Sequence, residues 1–534
     1  MKTCPYARQV RHCVGIAIPG AKQLNNHQRI SLTGSGLYAG IGLALSLTLS
    51  GCAVGPDFRA PDAPAGANGN AYTPTPISTQ TDSAQGFAGD AQRFASGKDI
   101  PADWWTVFHS NELDQLVRAA FAHNPSMAGA QAALRQAQEN LKAEGGSLLY
   151  PNVTGQLGAE RQHASAVSTF TPSGEVFNVY TGSLNVSYTV DVFGATRRTL
   201  EGLQAAVDYQ RYQLEATYIT LSSNVVVTAI REASARGQLK ATKEVLESQE
   251  KELAVIEKQY AIGAIPRTTL LTQRNQVAQI RVTLPPLEKA LAQAQHQLSV
   301  YVGKLPSESG MPEFDLETLQ LPQELPVSLP SNLVRQRPDI RASEALLHEA
   351  SAQVGVATAN QYPQITLSGS YGAAALTPGK LFNGNSTFWS LGAGLTAPLF
   401  NAGSLSAKRR AAVAAYDQAS AQYQTTVLGA FQNVADTLRA LESDATTLKA
   451  QMDVEALARE SMELTTKQYH LGGTSYLVLV DAERNYQQAH VALVQAQAAR
   501  YTDTAALFQA LGGGWWNRPA PTDTAAVAAN EKKN

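Results

Sequence analysis

The sequence predicts a mainly α-helical protein that also carries a membrane β-barrel part: a duplicated unit of one β-hairpin and one long coiled helical hairpin. Three observations carry this. The stretch from Ser404 to Gly512 keeps a helical pattern broken once, at Leu471-Gly472-Gly473-Thr474. Two other regions alternate apolar and polar residues with the two-residue period of a strand. The whole arrangement occurs twice, at a constant offset of 209 residues.

The chain has 534 residues, of which only 16% are charged, with 42 basic and 44 acidic side chains. Five of the bases and none of the acids fall in residues 1–51, which leaves the remainder mildly acidic and gives no sign of nucleic-acid binding. The apolar run Leu37 to Leu49 follows that basic segment and ends in Leu49-Ser50-Gly51-Cys52. It is too short for a bilayer-spanning helix and has the flanks of a secretory signal. Small residues before a cysteine are similar to a bacterial lipoprotein signal over 1–51, with lipid on Cys52; an ordinary signal with an incidental cysteine is the alternative. Cleavage there removes Cys4 and Cys13, so no internal disulfide is available and packing must hold the fold. By the same lipoprotein likeness, Ala53 after the cysteine implies the outer membrane.

Residues 52–103 are rich in Ala, Pro, Gly, Ser and Thr without periodicity and are expected to be an extended, lipid-anchored tether. Trp104-Trp105 opens the first repeat, 104–303. A short helix is expected near Glu112 to Ala122, and a second from Pro125 to Ser147, with Pro125 in its first turn. A membrane hairpin over about 151–192 follows: Leu184, Val186, Tyr188, Val190 and Val192 alternate with Asn185, Ser187, Thr189 and Asp191, after a weaker strand at Val153 to Ala159 and a loop holding Pro172-Ser173-Gly174.

A long helical hairpin spans about 197–303, in which Pro285-Pro286 should interrupt or kink the returning helix. A Pro-rich connector at 304–337 leads to the second repeat, 338–512. There a hairpin at about 364–400 pairs Ile365, Leu367, Gly369 and Tyr371 with Trp389, Leu391, Ala393 and Leu395. The helical hairpin at about 404–512 has a seam of Phe431, Val434, Leu438, Leu441, Ala445, Leu448 and Met452, spaced alternately three and four apart. Gln213/Gln422, Asn224/Asn433, Leu239/Leu448, Tyr260/Tyr469, Gly263/Gly472, Leu270/Leu479 and Gly303/Gly512 keep the repeat register without a gap. Residues 513–534 are expected to be a disordered tail.

Four membrane strands cannot close a barrel, for which about eight is the smallest number. An open edge in lipid leaves backbone groups unpaired at several kcal/mol each. Other copies of the chain must therefore complete the sheet. Two copies give eight strands, filled by their own side chains; three give twelve, with room for a lumen that suits the polar strand face. A homotrimer is preferred. Catalytic signatures are missing from the sequence: no Gly-x-Ser-x-Gly, His-Glu-x-x-His, Cys-x-x-Cys or phosphate loop. Gly392 to Ala397 imitates a dinucleotide fingerprint but lies within an alternating strand, and His348-Glu349 has no second ligand nearby. Neither an enzyme, a cofactor nor a metal site is expected.

Val54-Gly55-Pro56-Asp57-Phe58-Arg59-Ala60-Pro61, Trp104-Trp105 and Leu329-Pro330-Ser331-Asn332-Leu333-Val334-Arg335-Gln336-Arg337-Pro338-Asp339-Ile340-Arg341 resemble the outer membrane efflux lipoproteins, the TolC-like outer membrane factors of tripartite pumps. The likeness covers nearly all of 52–516. It implies a trimer with a 12-strand barrel in outer-membrane lipid on a 12-helix periplasmic tunnel, working with a periplasmic adaptor and an inner-membrane transporter to export small molecules. A conduit for type I protein secretion is the alternative within the family; a coiled-coil spacer lipoprotein is the alternative outside it. The resemblance places the turns Tyr260/Gly263 and Tyr469/Gly472 at the periplasmic mouth and Asp481 at an acidic gate, the alternative being a solvated helix-face acid. Where a second gate acid and an arginine would stand, this chain has Val478 and Thr474, so Leu477 and Val478 are expected to close the mouth by apolar contact.

Overall fold

A computed structural model describes residues 53–62, 72–164, 175–308 and 310–518; the expected signal segment 1–51, Cys52, Pro172-Ser173-Gly174 and residues 519–534 lie outside these. The elements run β1 (Arg93–Ser96), α1 (Asn111–His123), α2 (Pro125–Leu149), β2 (Asn152–Ala164), β3 (Glu175–Val190), α3 (Ala195–Ala261), α4 (Arg267–Tyr301), β4 (Glu324–Val327), α5 (Pro330–Gln336), α6 (Pro338–Ala359), β5 (Gln364–Ala375), β6 (Thr387–Thr396), α7 (Ser404–His470) and α8 (Tyr476–Ala510). No helix among the described residues is long and apolar enough to cross a membrane.

The helix starts follow local chemistry. Ser110 accepts a hydrogen bond from the Leu113 amide and Asn124 accepts one from Ser126, so the first turns of α1 and α2 keep fewer orphan donors. Glu112 and Asp114 complement the positive end of α1. The long helices α3 and α7 have 67 residues each, about 100 Å at 1.5 Å per residue, and α4 and α8 have 35 each. All four helix boundaries coincide at the 209-residue offset: Ala195/Ser404, Ala261/His470, Arg267/Tyr476 and Tyr301/Ala510.

Helices α2 and α4 both pack along α3, α8 packs along α7 and α3, and α6 lies between α3 and α7. Within the α7 seam Val434, Leu438, Leu441, Ala445 and Leu448 are all buried. The main core lies where these helices meet α1 and the connector, around Trp104, Phe108, Ile230, Phe314, Leu438, Tyr501 and Phe508. Trp104 stacks on Phe508 at 5.3 Å between ring centroids. Each fully buried Leu or Phe there contributes roughly 1.5–3 kcal/mol.

The structure differs from expectation in four places. Residues 72–103 are not a free tether. Tyr72, Ile77, Phe87 and Ile100 pack on the main core, and β1 forms a parallel ladder with β4 of the connector. Arg500 of α8, 1% exposed, holds this strap by donating to Ala88 O at 2.6 Å, Asp90 O at 3.0 Å, Gln92 Oε1 at 3.1 Å and Thr81 Oγ1 at 3.2 Å. The connector itself carries β4 and the whole of α5. Helix α4 runs through Pro285-Pro286 without interruption: each proline removes only its own N–H, and the turns on both sides carry the helix. Residues 513–518 are ordered against the core: Trp515 Nε1 donates to Gln336 O at 2.6 Å and Trp516 Nε1 to Asp99 Oδ1 at 2.9 Å.

Candidate functional site

The strands assemble into one antiparallel sheet in the order β2-β3-β5-β6, so the two hairpins, far apart in sequence, join through β3 and β5. Register sorts the side chains by face. Val153, Leu157, Leu184, Val186, Tyr188, Ile365, Leu367, Tyr371, Trp389, Leu391 and Leu395 share one side, because Val153 pairs with Val186, Leu184 with Tyr371 and Tyr371 with Trp389. The other side carries Thr154, Gln156, Ser183, Asn185, Ser187, Thr366, Ser368, Ser370 and Ser390. Ser370 and Ser390 share a hydrogen bond of 2.7 Å across that polar face. The apolar face is bare, with Trp389 72% and Leu391 82% exposed. With 10 to 16 residues each, the strands reach at least about 33 Å at 3.3 Å per residue, enough to cross a hydrocarbon layer at a tilt.

Just below the sheet, the first described residues are seated on the helices. The Val54 amide donates to Phe193 O at 3.1 Å, beside the start of α3. Buried Arg198 donates to Asp57 at 2.7 Å and Glu201 at 2.7 Å, and reaches Val54 O and Gly55 O at 3.4 and 3.5 Å. Phe58 stacks on His348 at 4.2 Å, and His348 meets Glu201 at 2.9 Å. Cys52, the expected lipid site, lies two residues before Val54 and outside the described residues.

The far end of the helices holds the two turns. Gly263 and Gly472 have φ of 74° and 75°, left-handed conformations that admit glycine without strain and end α3 and α7 alike. Between the two tips lies a small apolar cluster of Ile256, Leu270, Tyr476 and Leu479, with Tyr469 packed against it. Tyr469 and Tyr476 meet ring to ring at 5.5 Å. Tyr260, by contrast, lies outside that cluster and is 39% exposed. Leu477 and Val478 are 69% and 51% exposed, and Asp481 is exposed and paired with Arg484. A single chain therefore brings Tyr469 into the cluster but leaves Leu477, Val478 and Asp481 together on the outward face of α8.

Sequence reading missed four residues at this end: Gln249 of α3, Gln273 of α4, and Tyr476 and Glu483 of α8. Gln273 is 0% and Gln249 2% exposed. Gln273 Nε2 donates at 3.0 Å to both the main-chain and side-chain oxygens of Gln249, and Tyr476 Oη donates to Gln273 Oε1. Burial pushes the Glu483 carboxyl up to about 7, against the Gln249 side chain, which lowers it. One signal was available: the repeat partners of these four are Ala458, Ala482, Arg267 and Arg274, a break in an otherwise good register.

A sheet with one lipid-compatible face, joined to helices about 100 Å long with a turn at their far end, defines a class: an outer-membrane channel with a helical extension. Residues 116–304 and 329–513 match the outer membrane efflux protein family. The chain belongs to that family. It is 28% identical over 499 residues to the antibiotic efflux pump outer membrane protein ArpC of Pseudomonas putida, covering 92% of this chain and 99% of that one. It is 30% identical over 455 residues to the pyoverdine export outer membrane protein OpmQ of Pseudomonas aeruginosa, covering 83% and 94%. Its fold is similar to the solved outer-membrane channel OprN, with a TM-score of 0.77 at 27% identity over 87% of this chain and all of that one.

Proposed function

We propose that the chain is the outer-membrane channel of a tripartite efflux pump, acting as a homotrimer that passively conducts small molecules from the periplasm outward. One observation carries this: a four-stranded sheet with an apolar face, a hydroxyl- and amide-lined face, and unpaired outer edges on β2 and β6 within one chain. Lipid covers the apolar face, water fills the polar one, and neighbouring copies pair the edges. Three chains give twelve strands, and the helices below them form a twelve-helix tunnel. The names of the relatives support the role in export, and a periplasmic adaptor and an inner-membrane transporter complete the pump. Lipid on Cys52 anchors each chain to the outer membrane.

In this assembly the turns at Tyr260/Gly263 and Tyr469/Gly472 form the periplasmic mouth. Leu477, Val478 and Asp481, together on the outward face of α8, face the axis there. Three copies of Asp481 favour cations at the constriction. Planar-bilayer recording of purified, crosslinked protein tests the reading: trimers giving cation-selective channels, with selectivity reduced in Asp481→Asn, are expected. Monomers without channel activity would refute the conduit; unchanged selectivity in the variant would refute the gate. Acyl labelling lost in Cys52→Ala is the expectation for the anchor, and a labelled variant would refute it.

A further inference from the structure

Two cavities lie end to end in the groove that α4 and α8 form over α3. The lower one, nearer the turns, has a volume of about 710 Å³, and the upper one about 680 Å³. They meet at a rung in which Gln495 of α8 donates to Gln238 of α3 at 3.0 Å. The strap covers another side of α8: Arg500 and Thr504 bond there to Ala88, Asp90 and Gln92. Counted from Arg500, Val491 and Arg484 stand about 180° and about 160° round the helix, and Leu477 about 140°. The groove therefore opens on the side of α8 that carries Leu477, away from the strap. A conduit leaves no room inside for the strap, so on that reading the groove belongs to the conduit wall.

The lower cavity has an apolar side and an amide rim. Val282, Pro286, Leu287 and Val491 line it, with Gln279 and Gln488. Val282 is 72% exposed. Among the lining residues only Arg484 is charged, and it is paired with Asp481. The cavity thus accepts an apolar body and offers no unpaired charge to an ion. Pro286 adds an acceptor. A proline inside a helix has no N–H for the residue four before it, so the Val282 carbonyl lacks its helical donor. Val282 and Pro286 both line the cavity, which puts this acceptor at its wall. Pro285 frees the Arg281 carbonyl in the same way, but neither residue lines the cavity, and Arg281 pairs with Glu250 of α3 at 2.6 Å. Water alone would satisfy the Val282 carbonyl and leave the Val282 side chain wet. A molecule with an apolar body and one O–H or N–H donor satisfies both.

We propose, resting on the conduit reading given above, that the lower cavity is a transient binding site for uncharged permeant molecules with an apolar ring body and a hydroxyl or amide donor. The ring lies against Val282, Leu287 and Val491, and the donor reaches the Val282 carbonyl. Glutamine side chains take up further polar groups. An entering molecule passes Asp481 first and lodges about 15 Å further along α8, at Val491. The first position favours cations; the second retains neutral amphipathic molecules.

The test records single channels of the full-length lipoprotein in planar bilayers, with para-phenylphenol or its methyl ether added on the side of the turns. The two probes share their rings, and only the phenol has a donor. Wild-type channels are expected to show brief, voltage-independent current blockades. Their dwell time should be about 2- to 10-fold longer for the phenol, the worth of one net hydrogen bond. Pro286→Ala restores the N–H in a residue that favours helix, so it should erase that difference, while Pro285→Ala should keep it. Val282→Ala should shorten the dwell of both probes. Equal dwell times in the wild type, or a Pro286→Ala channel that still distinguishes the probes, would overturn the site while leaving the conduit intact. Channels that conduct but are never blocked would do the same. Absence of channels in the wild type and every variant would remove the conduit reading and the site with it.

Discussion

The two helical hairpins share every boundary, yet one matched position holds opposite chemistry. Where α7 has Leu441, buried in the main core, α3 has Glu232, also buried. Glu232 accepts hydrogen bonds from Arg236, from Gln295 at 3.3 Å and from the Phe314 amide at 3.0 Å. Phe314 belongs to the connector, which meets α3 through this amide and meets α8 elsewhere, where the Tyr501 hydroxyl donates to Leu319 O at 2.8 Å. Duplication supplied two equal rods; the single connector then demanded a carboxylate on one of them. The turns tell the other half of the story. Gly263 and Gly472 face the same backbone demand, and they have stayed identical in residue and within 1° in φ.

This comparison can be broken or sharpened by substitution. The largest effect is expected at the unmatched position. Glu232→Ala leaves the Phe314 amide and Arg236 without their shared partner, at a cost of about 3–5 kcal/mol, whereas Glu232→Gln should retain part of it. Leu441→Ala should cost about 2–5 kcal/mol through its cavity alone. Chemical denaturation of the solubilised protein reads both. If Glu232→Leu were as stable as the wild type, the connector would not be what separates the repeats.

The next effect comes from Glu483, which has Arg274 as its repeat partner. Its folded carboxyl is raised from 4.5 to about 7 by burial. The folded protein therefore binds more protons than the unfolded chain between these values. This contribution to stability is fully present below about 4.5 and is lost as pH rises through about 7. Glu483→Gln should flatten that slope over the same window, as followed by melting temperature against pH; an unaltered slope would assign it to other groups, such as the half-buried Asp444, whose carboxyl is also raised to about 7.

The smallest effect is expected at the turns. Gly263→Ala and Gly472→Ala each force a side chain into the left-handed region at about 1–2 kcal/mol. Open space around both glycines means no clash is added. The two losses should therefore agree closely. A clear difference in melting temperature would show that the two turns are loaded unequally.

What the sequence made legible was whatever repeats locally. Period two in Leu184 to Val190 and the three-four seam of Val434 to Leu448 reflect one face buried along a regular element, so they survive without any knowledge of partners. The joining of β3 to β5 into a single sheet was not legible, since two hairpins apart in the chain carry no mark of their neighbour. The strap was missed for a related reason. Ile77, Phe87 and Ile100 are scattered among Ala, Gly and Ser, and what fixes them is Arg500, four hundred residues on. The hydrogen-bonded chain of Gln249, Gln273 and Tyr476 was hidden because glutamines on a helix read as solvated until tertiary structure buries them.

The seat under the sheet has one more consequence. Val54 is pinned to Phe193, and two extended residues span at most about 7 Å. Under the proposed anchoring, an acyl group on Cys52 would enter the bilayer at the level where the strands end and the helices begin. Such an anchor would work as a mooring at the waterline: it would set how deep the sheet rides, leaving the length of the helices to decide how far their turns hang below.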